Sequence, residues 1–158
     1  MLKPRHPYNL YQEINRELGK VWHIGQSHLY AHMKQLTRKE LLVVQTETQS
    51  NRPARNVYAI TAAGQTIFLD WLHQPTQHGR HFRLEFPARL YLFRRLQLPG
   101  LDHLIAAQTA LFSERVLSLK QARQETQDSY YKLVLEFRQC EMSAIIDWLD
   151  HIKSGSMI

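Results

Sequence analysis

The chain has 158 residues, 44% of them hydrophobic, which is enough to bury a core and close to the size of a single domain. No run of 18 apolar residues occurs and the first residues lack an apolar stretch, so the sequence predicts neither a membrane span nor a secretory signal. The single cysteine, Cys140, excludes an intramolecular disulfide and favours a reducing, cytoplasmic environment.

The net charge of +6 permits a polyanionic partner. Residues 1–76 carry nine Lys and Arg against five Asp and Glu, whereas residues 77–158 carry eleven against nine, so the first half is the better candidate for contacting nucleic acid.

Residues 7–38 show the pattern of two helices joined by a short turn. The first helix is predicted over residues 7–18, with Pro7 at its first position and Gly19 at its end. Its apolar residues recur at every fourth position, at Leu10, Ile14 and Leu18. Residues 21–24 are apolar and predict a turn or a one-bridge strand, and two helices connected in this way form a helix-turn-helix.

The second helix, predicted over residues 26–38 with Gly25 as its N-cap, has two contrasting faces. Its apolar face consists of Leu29, Met33 and Leu36. The opposite face has no acidic residue, and its side chains can hydrogen-bond phosphates or base edges: Ser27, His28, Tyr30, His32, Lys34 and Gln35. This combination favours a helix that reads DNA.

A β-hairpin and a third helix are predicted next. Residues 40–48 and 56–61 have the composition of strands, whereas residues 49–55 are polar, contain a proline and predict a loop. Thr61 is the predicted N-cap of a helix over residues 62–73. A hairpin with two arginines in its loop is typical of the wing of a winged helix-turn-helix.

The rest of the chain is helical in pattern. A linker over residues 74–81 precedes a helix over residues 83–98, which ends at Pro99 and Gly100. A long helix begins at Leu101, a polar stretch over 121–128 either continues or turns it, and a final helix reaches Ile152. We therefore expect a mainly α protein with a small β-hairpin: an N-terminal winged helix-turn-helix DNA-binding domain, residues 1–76, and a C-terminal helical region, residues 80–158.

The long C-terminal helices carry narrow apolar stripes that the wing domain is too small to cover. We expect them to pair with a second copy, so that the C-terminal region is the dimerisation surface of a homodimer. The alternative is a monomer in which an antiparallel helical hairpin folds on the wing domain.

The sequence resembles the PadR family of bacterial transcriptional regulators. The resemblance covers residues 8–75 and rests on the segments 18–24, 27–36, 39–42 and 52–61, followed by Ala63, Gly64, Trp71 and Leu72. It implies a winged helix-turn-helix joined to a helical dimerisation region that usually acts as a repressor, and the long C-terminal half resembles the branch with phenolic-acid-responsive repressors. The family pattern also places an apolar helix before Tyr8, which we expect to be either missing or encoded upstream, and a basic residue where Asn56 stands.

Double-stranded operator DNA is the expected partner, read as an inverted repeat with half-sites one turn apart. Gln26, Ser27 and His28 lie at the end of the recognition helix that reaches base edges in the major groove. The resemblance implies a backbone contact for Tyr30. The predicted DNA-binding residues are Gln26, Ser27, His28, Tyr30, Lys34, Arg38, Arg52 and Arg55, of which Lys34 and Arg38 would meet phosphates and the two wing arginines the minor groove. The cations could instead be ordinary solvated surface charges.

An enzyme is the first alternative function. The nine histidines include two pairs at helical spacing, His28 with His32 and His78 with His81. No acidic or thiol ligand stands at a matching offset, and no nucleophile, phosphate loop or paired carboxylate is apparent, so we expect no metal, no cofactor and no enzymatic activity.

A winged-helix adaptor that binds proteins is the second alternative, and its recognition face would need exposed hydrophobic residues. A regulator also needs an input, and aromatic side chains could line a pocket for a small aromatic effector near the dimer seam. The candidates are Trp71, Phe93, Phe112 and Trp148, with Tyr130 and Tyr131 nearby in the pattern. They could equally be core residues.

Overall fold

A computed structural model of the chain describes residues 3–19, 21–49 and 52–154, and it is mainly helical with one antiparallel hairpin, as predicted. The elements are α1 (Pro7–Leu18), α2 (Gln26–Arg38), β1 (Leu42–Gln49), β2 (Arg52–Ile60), α3 (Ala62–His73), α4 (Gly79–Leu96), α5 (Leu101–Glu125) and α6 (Ser129–Lys153). Two compact units divide the chain: residues 1–72, called the N-terminal unit, and residues 73–158, called the helical unit. Within the described residues, no helix has the length and apolar character needed to span a bilayer.

Helix α1 begins and ends as its sequence predicts. Pro7 occupies the first turn, and the His6 ring accepts a hydrogen bond from the Tyr8 amide at 3.2 Å. Gly19 ends the helix in a right-handed conformation rather than a left-handed one. A side chain at this position would collide with the carbonyl oxygen of Asn15, so glycine is required there by space and not by backbone angle.

The segment between α1 and α2 is a turn, and the isolated β-bridge lies elsewhere. Arg5 bridges Tyr58 of β2, with N–O distances of 2.9 and 2.8 Å. Residues 21–25 contain no strand, which decides between the two structures that their sequence left open. Ile24 is nevertheless buried, so this turn contributes to the core.

The core of the N-terminal unit forms around the apolar face of α2. Ile24, Leu29 and Met33 are buried together. Partly buried side chains from α1 and the hairpin pack against them: Leu10, Tyr11, Ile14, Leu42 and Tyr58. Leu36, which was predicted on the same face, is 38% exposed. The core contacts α2 at Leu29 and Met33, and the last turn of the helix lies beyond it.

The hairpin is longer than its sequence predicts. β1 and β2 pair in register from Leu42–Ile60 to Glu47–Arg55, and after a register shift Gln49 pairs with Arg52. The predicted loop over residues 49–55 is therefore wrong, since β2 already begins at Arg52 and includes Pro53. A two-stranded sheet tolerates proline because each strand has an edge without a hydrogen-bonding neighbour, and the shift relaxes the pairing at this point.

Thr61 joins the base of the hairpin to α2 and α3. Its hydroxyl accepts a hydrogen bond from the Gly64 amide at 3.0 Å, which confirms the predicted N-cap. The same hydroxyl donates to the carbonyl oxygen of Glu40 at 2.8 Å. Glu40 has a φ of 58°, an unfavourable left-handed conformation for a residue with a side chain. Gly64 packs so closely that a Cβ would collide with the carbonyl oxygen of Leu41.

The helices of the helical unit differ from their predicted limits. α4 begins at Gly79, where a linker was expected, because His78 already forms its extended N-cap. It ends at Leu96 rather than 98, since Gln97 turns the chain with a φ of 52°. Of the polar stretch 121–128, the first part continues α5 and residues 126–128 form the turn. Asp128 caps α6 by accepting hydrogen bonds from the Tyr130 and Tyr131 amides at 2.8 and 3.1 Å.

An aromatic cluster fills the core of the helical unit. Phe82 and Phe86 stack with their ring centroids 4.7 Å apart, and Phe112 lies 5.6 Å from Phe82. Trp148 meets both α4 rings edge-on, at 5.9 and 6.0 Å. Aromatic pairs in this geometry contribute beyond the area they bury.

A buried polar group attaches the linker to α4 and α5. The Gln108 side chain accepts from the Thr76 amide at 2.6 Å and donates to the Thr76 carbonyl at 3.0 Å, as a neighbouring peptide would. Arg89 donates to the Thr76 hydroxyl and to Glu85. Burial lowers the pKa of Arg89, and the charge of Glu85 opposes that shift. Since Gln108 satisfies both backbone groups of Thr76, the linker can be buried here.

Met33 and Leu36 lie on the same apolar face of α2, but substitutions at these two positions are expected to lower the free energy of unfolding by different amounts. Met33→Ala should lower the free energy of unfolding by about 2–5 kcal/mol, because it leaves a cavity in a closed core. Leu36→Ala truncates a side chain that is 38% exposed in the same helix and should lower stability by less, about 1 kcal/mol. Chemical denaturation followed by circular dichroism measures both. Equal losses of unfolding free energy in the two variants would contradict this packing of α2.

Candidate nucleic-acid interface

Helix α2 presents one polar face to solvent. Six of the predicted DNA-binding side chains lie on this helix and all are exposed: Gln26, Ser27, His28, Tyr30, Lys34 and Arg38. Four of them recur at every fourth residue and form one ridge about 18 Å long. The ridge begins with an amide side chain and ends with two cations, while Leu29 and Met33 hold the opposite side of the helix in the core.

The N-terminal turn of α2 is open to a ligand. Gly25 caps the helix with its backbone alone, and a Cβ added there would meet nothing within 4 Å. The first amides of a helix lack intrahelical acceptors and point toward positions that phosphates or base edges can occupy. Gln26, Ser27 and His28 stand on this turn, so short hydrogen-bonding side chains and free amides share one end of the helix.

The other end of the ridge forms a groove with the hairpin. The groove has a volume of about 470 Å³ and is lined by Tyr30, Ala31, Lys34, Thr37, Arg38, Val44 and Tyr58. The structure thus brings together three predicted residues that are up to eight positions apart. Tyr58 also packs on the core of the N-terminal unit.

Four residues of this groove were not among the predicted DNA-binding residues: Ala31, Thr37, Val44 and Tyr58. Thr37 follows Lys34 by three positions, which is a helical spacing, and its hydroxyl donates to the Met33 carbonyl at 2.9 Å. Val44 lies on β1 and is 38% exposed. Helical spacing could have revealed Thr37. Val44 could not be found in this way, because its place beside α2 depends on how the hairpin folds back.

Of the two wing arginines, Arg55 has a side chain within the described residues. Arg55 is exposed and forms an ion pair with Glu47, its cross-strand partner, through Nη2 at 2.8 Å and Nε at 3.0 Å. A pair this exposed contributes at most about 1 kcal/mol, so Arg55 can exchange this carboxylate for another anion. Arg52 begins β2, but its side chain lies outside the described residues.

The predicted effector residues occupy different environments. Phe93 and Phe112 are buried in the helical unit, where Phe93 packs edge-on against His73 at 5.2 Å. Trp71 is half-buried in the N-terminal unit, 6.3 Å from Phe68. Trp148 alone among the four lines a groove of the helical unit. Tyr130 and Tyr131 are exposed at the start of α6.

Comparison with known proteins gives matches over both parts of the chain. Residues 1–69 match the model of the PadR-like family of transcriptional regulators. A probable transcriptional regulator of Mycobacterium tuberculosis is 26% identical over 164 residues, which cover 92% of this chain and 86% of the relative.

Solved structures also align with most of the chain. The crystal structure of Bacillus subtilis PadR in complex with operator DNA is 20% identical, covering 94% of this chain and 88% of that chain with a TM-score of 0.45. The same protein in complex with p-coumaric acid gives 20% identity, the same coverage and a TM-score of 0.40. The Vibrio cholerae virulence activator AphA is 20% identical, with coverage of 95% and 88% and a TM-score of 0.38. Residues 1–69, which make up most of the N-terminal unit, therefore match PadR-like transcriptional regulators, and the chain as a whole is similar to a probable transcriptional regulator.

Proposed function

We propose that the protein is a sequence-specific repressor that binds an inverted repeat as a homodimer and releases it in response to a small ligand. The observation that carries the proposal is the exposed polar ridge of α2, which has base-reading side chains at its first turn and cations along its length. In this function Gln26, Ser27 and His28 read base edges, with the Gln26 amide suited to adenine. Tyr30, Lys34 and Arg38 contact the phosphate backbone beside them.

The wing acts as a second, less selective contact. Arg55 reaches the minor groove or its phosphates, and Glu47 holds the guanidinium in place until DNA replaces it. Arg52 is assigned to the same contact from its sequence position alone. Because each neutralised phosphate releases counterions, affinity is expected to fall steeply as salt is added.

An exposed apolar stripe on α6 supports the homodimer. Tyr130, Leu133 and Phe137 are spaced by three and four residues and are 73%, 65% and 69% exposed. Exposed Cys140 and Ala144 extend the same spacing. A stripe with an average period of 3.5 residues is the seam along which one helix packs on another. A second copy of α6 supplies such a partner, and a two-fold dimer presents two recognition helices to two half-sites.

The adaptor function receives less support from the same face. Six polar or charged side chains are exposed on α2, four of them in the ridge, and the apolar contribution near the ridge comes from Ala31, Val44 and the ring of Tyr30. A protein-binding surface would require a contiguous apolar patch in this position. The ridge instead has the polar, cationic character of a DNA contact.

Binding selection with random DNA tests the reading role of His28. His28→Ala should relax the preferred base at one or two positions of each half-site while affinity for unrelated DNA stays the same, because a lost base contact costs about 1–3 kcal/mol only on the correct sequence. His103→Ala, which removes an exposed histidine from α5, is the control and should select the parent sequence. An unchanged preference in His28→Ala would exclude this residue from readout.

Salt titration tests the wing. Arg55→Ala should weaken binding to operator and unrelated DNA by the same factor and reduce the slope of log affinity against log salt by about one per subunit. Glu47→Gln removes the competing carboxylate and should strengthen binding to both DNAs. If Arg55→Ala lost sequence preference but kept general affinity, the wing would not be a backbone contact.

Light scattering and sedimentation test the dimer. Phe137→Gln should raise the dimer dissociation constant at least tenfold, since a large apolar ring is lost from each copy. Arg138→Gln places the same residue one position away, off the stripe, and should leave the constant unchanged. A wild-type monomer at micromolar concentration would rule out the α6 dimer.

A further inference from the structure

A groove in the helical unit has the size of a small-molecule site. It lies where α4, the start of α5 and the end of α6 meet, and its volume is about 580 Å³. Ligand sites commonly have volumes of about 300–1,000 Å³. The lining residues are Leu90, Tyr91, Arg94, Arg95, Leu101, Trp148 and Ile152.

The floor of the groove is apolar and held in place. Leu90, Leu101 and Ile152 supply aliphatic surface, and Ile152 is 4% exposed. Trp148 also lines the groove, and its ring packs edge-on against Phe82 and Phe86. Such a floor is preformed, because the aromatic core fixes the side chain that faces the groove.

The rim of the groove is positive. Arg94 and Arg95 line it from α4, and the side chain of Arg94 makes no hydrogen bond or ion pair within the described part of the chain. Leu101 is the first residue of the 25-residue helix α5, so the positive end of that helix dipole lies at the same rim. No acidic residue is among the lining side chains. Guanidinium groups bind carboxylates through two parallel hydrogen bonds, which a free Arg94 can supply.

We propose that this groove binds an amphipathic carboxylate of the fatty-acid type, with its head group accepting hydrogen bonds from Arg94 and its chain lying along Leu90, Trp148 and Ile152. The aliphatic lining and the volume favour an extended hydrocarbon chain, because a single-ring acid would leave much of the floor in water. The site differs from the aromatic pocket expected from the sequence, since Phe93 and Phe112 are closed within the core. The assignment of this groove as the effector site of a regulator rests on the ligand response proposed above.

Dodecanoate, kept below the concentration at which it forms micelles, is the probe for the full-length protein without DNA. It should bind and change tryptophan fluorescence, and Trp148→Phe should remove that change. Arg94→Gln should weaken binding about tenfold or more, because a charge-assisted pair is lost. Arg83→Gln makes the same substitution at an exposed position of α4 outside the groove and should bind as the parent does.

Three matched compounds test the ligand class. Dodecanol and dodecyltrimethylammonium have the same chain without the anion and should bind more weakly, whereas benzoate has the anion without the chain and should also bind more weakly. Equal binding of dodecanol, tighter binding of benzoate, or equal losses in Arg94→Gln and Arg83→Gln would each overturn the proposal.

DNA binding is measured separately by fluorescence anisotropy with and without dodecanoate. If dodecanoate binds through Arg94 but does not change operator affinity, the groove is a ligand site and the proposed ligand response is wrong. If the protein binds no DNA but still binds dodecanoate through Arg94, the groove again stands and the repressor function fails.

Discussion

The geometry of the N-terminal unit depends on a small group of contacts at the base of the hairpin. The Thr61 hydroxyl holds the Glu40 carbonyl and the Gly64 amide at once, and the Thr61 amide donates to the Leu41 carbonyl at 3.1 Å. These bonds tie the end of α2 to the first ladder pair and to the start of α3. They also offset the cost of the left-handed Glu40. The position of the hairpin beside α2, and therefore the groove between them, follows from this junction.

The cores of the two units are built from different kinds of side chain. In the N-terminal unit a small aliphatic core packs on one side of α2, so the polar ridge on the other side is exposed to solvent. In the helical unit an aromatic cluster supports the end of α6 from behind. The buried Gln108–Thr76 pair there satisfies backbone groups that would otherwise cost about 1–3 kcal/mol each, and so it specifies where the linker lies. Rigid floors and exposed polar rims result in both units, which is what a binding surface needs.

Most helices could be predicted because their signals are local. The spacing of Leu10 and Ile14, the cap at Thr61 and the breaks near Pro99 all depend on neighbours a few residues away. The hairpin was predicted too short, since the pattern treated Pro53 as a strand breaker and could not show that β2 has a free edge. Helical periodicity placed Leu36 on the apolar face with Leu29 and Met33, but it could not show that the core ends before the last turn of α2. Both outcomes depend on where the neighbouring strand or core ends, and a local pattern does not contain that information.

The same distinction holds for the functional surface. Residue order decided the chemical character of α2, because a helix of 3.6 residues per turn separates Leu29 and Met33 from Tyr30 and Lys34 wherever it packs. It also carries the pattern along the first 69 residues that matches PadR-like transcriptional regulators. Tertiary structure decided that Tyr30, Lys34 and Arg38 share a groove with Val44. It also decided that Glu47 pairs with Arg55 and that Arg94 and Trp148 line one groove. Those arrangements join residues far apart in the chain, and contacts of that kind depend on packing that no local pattern records.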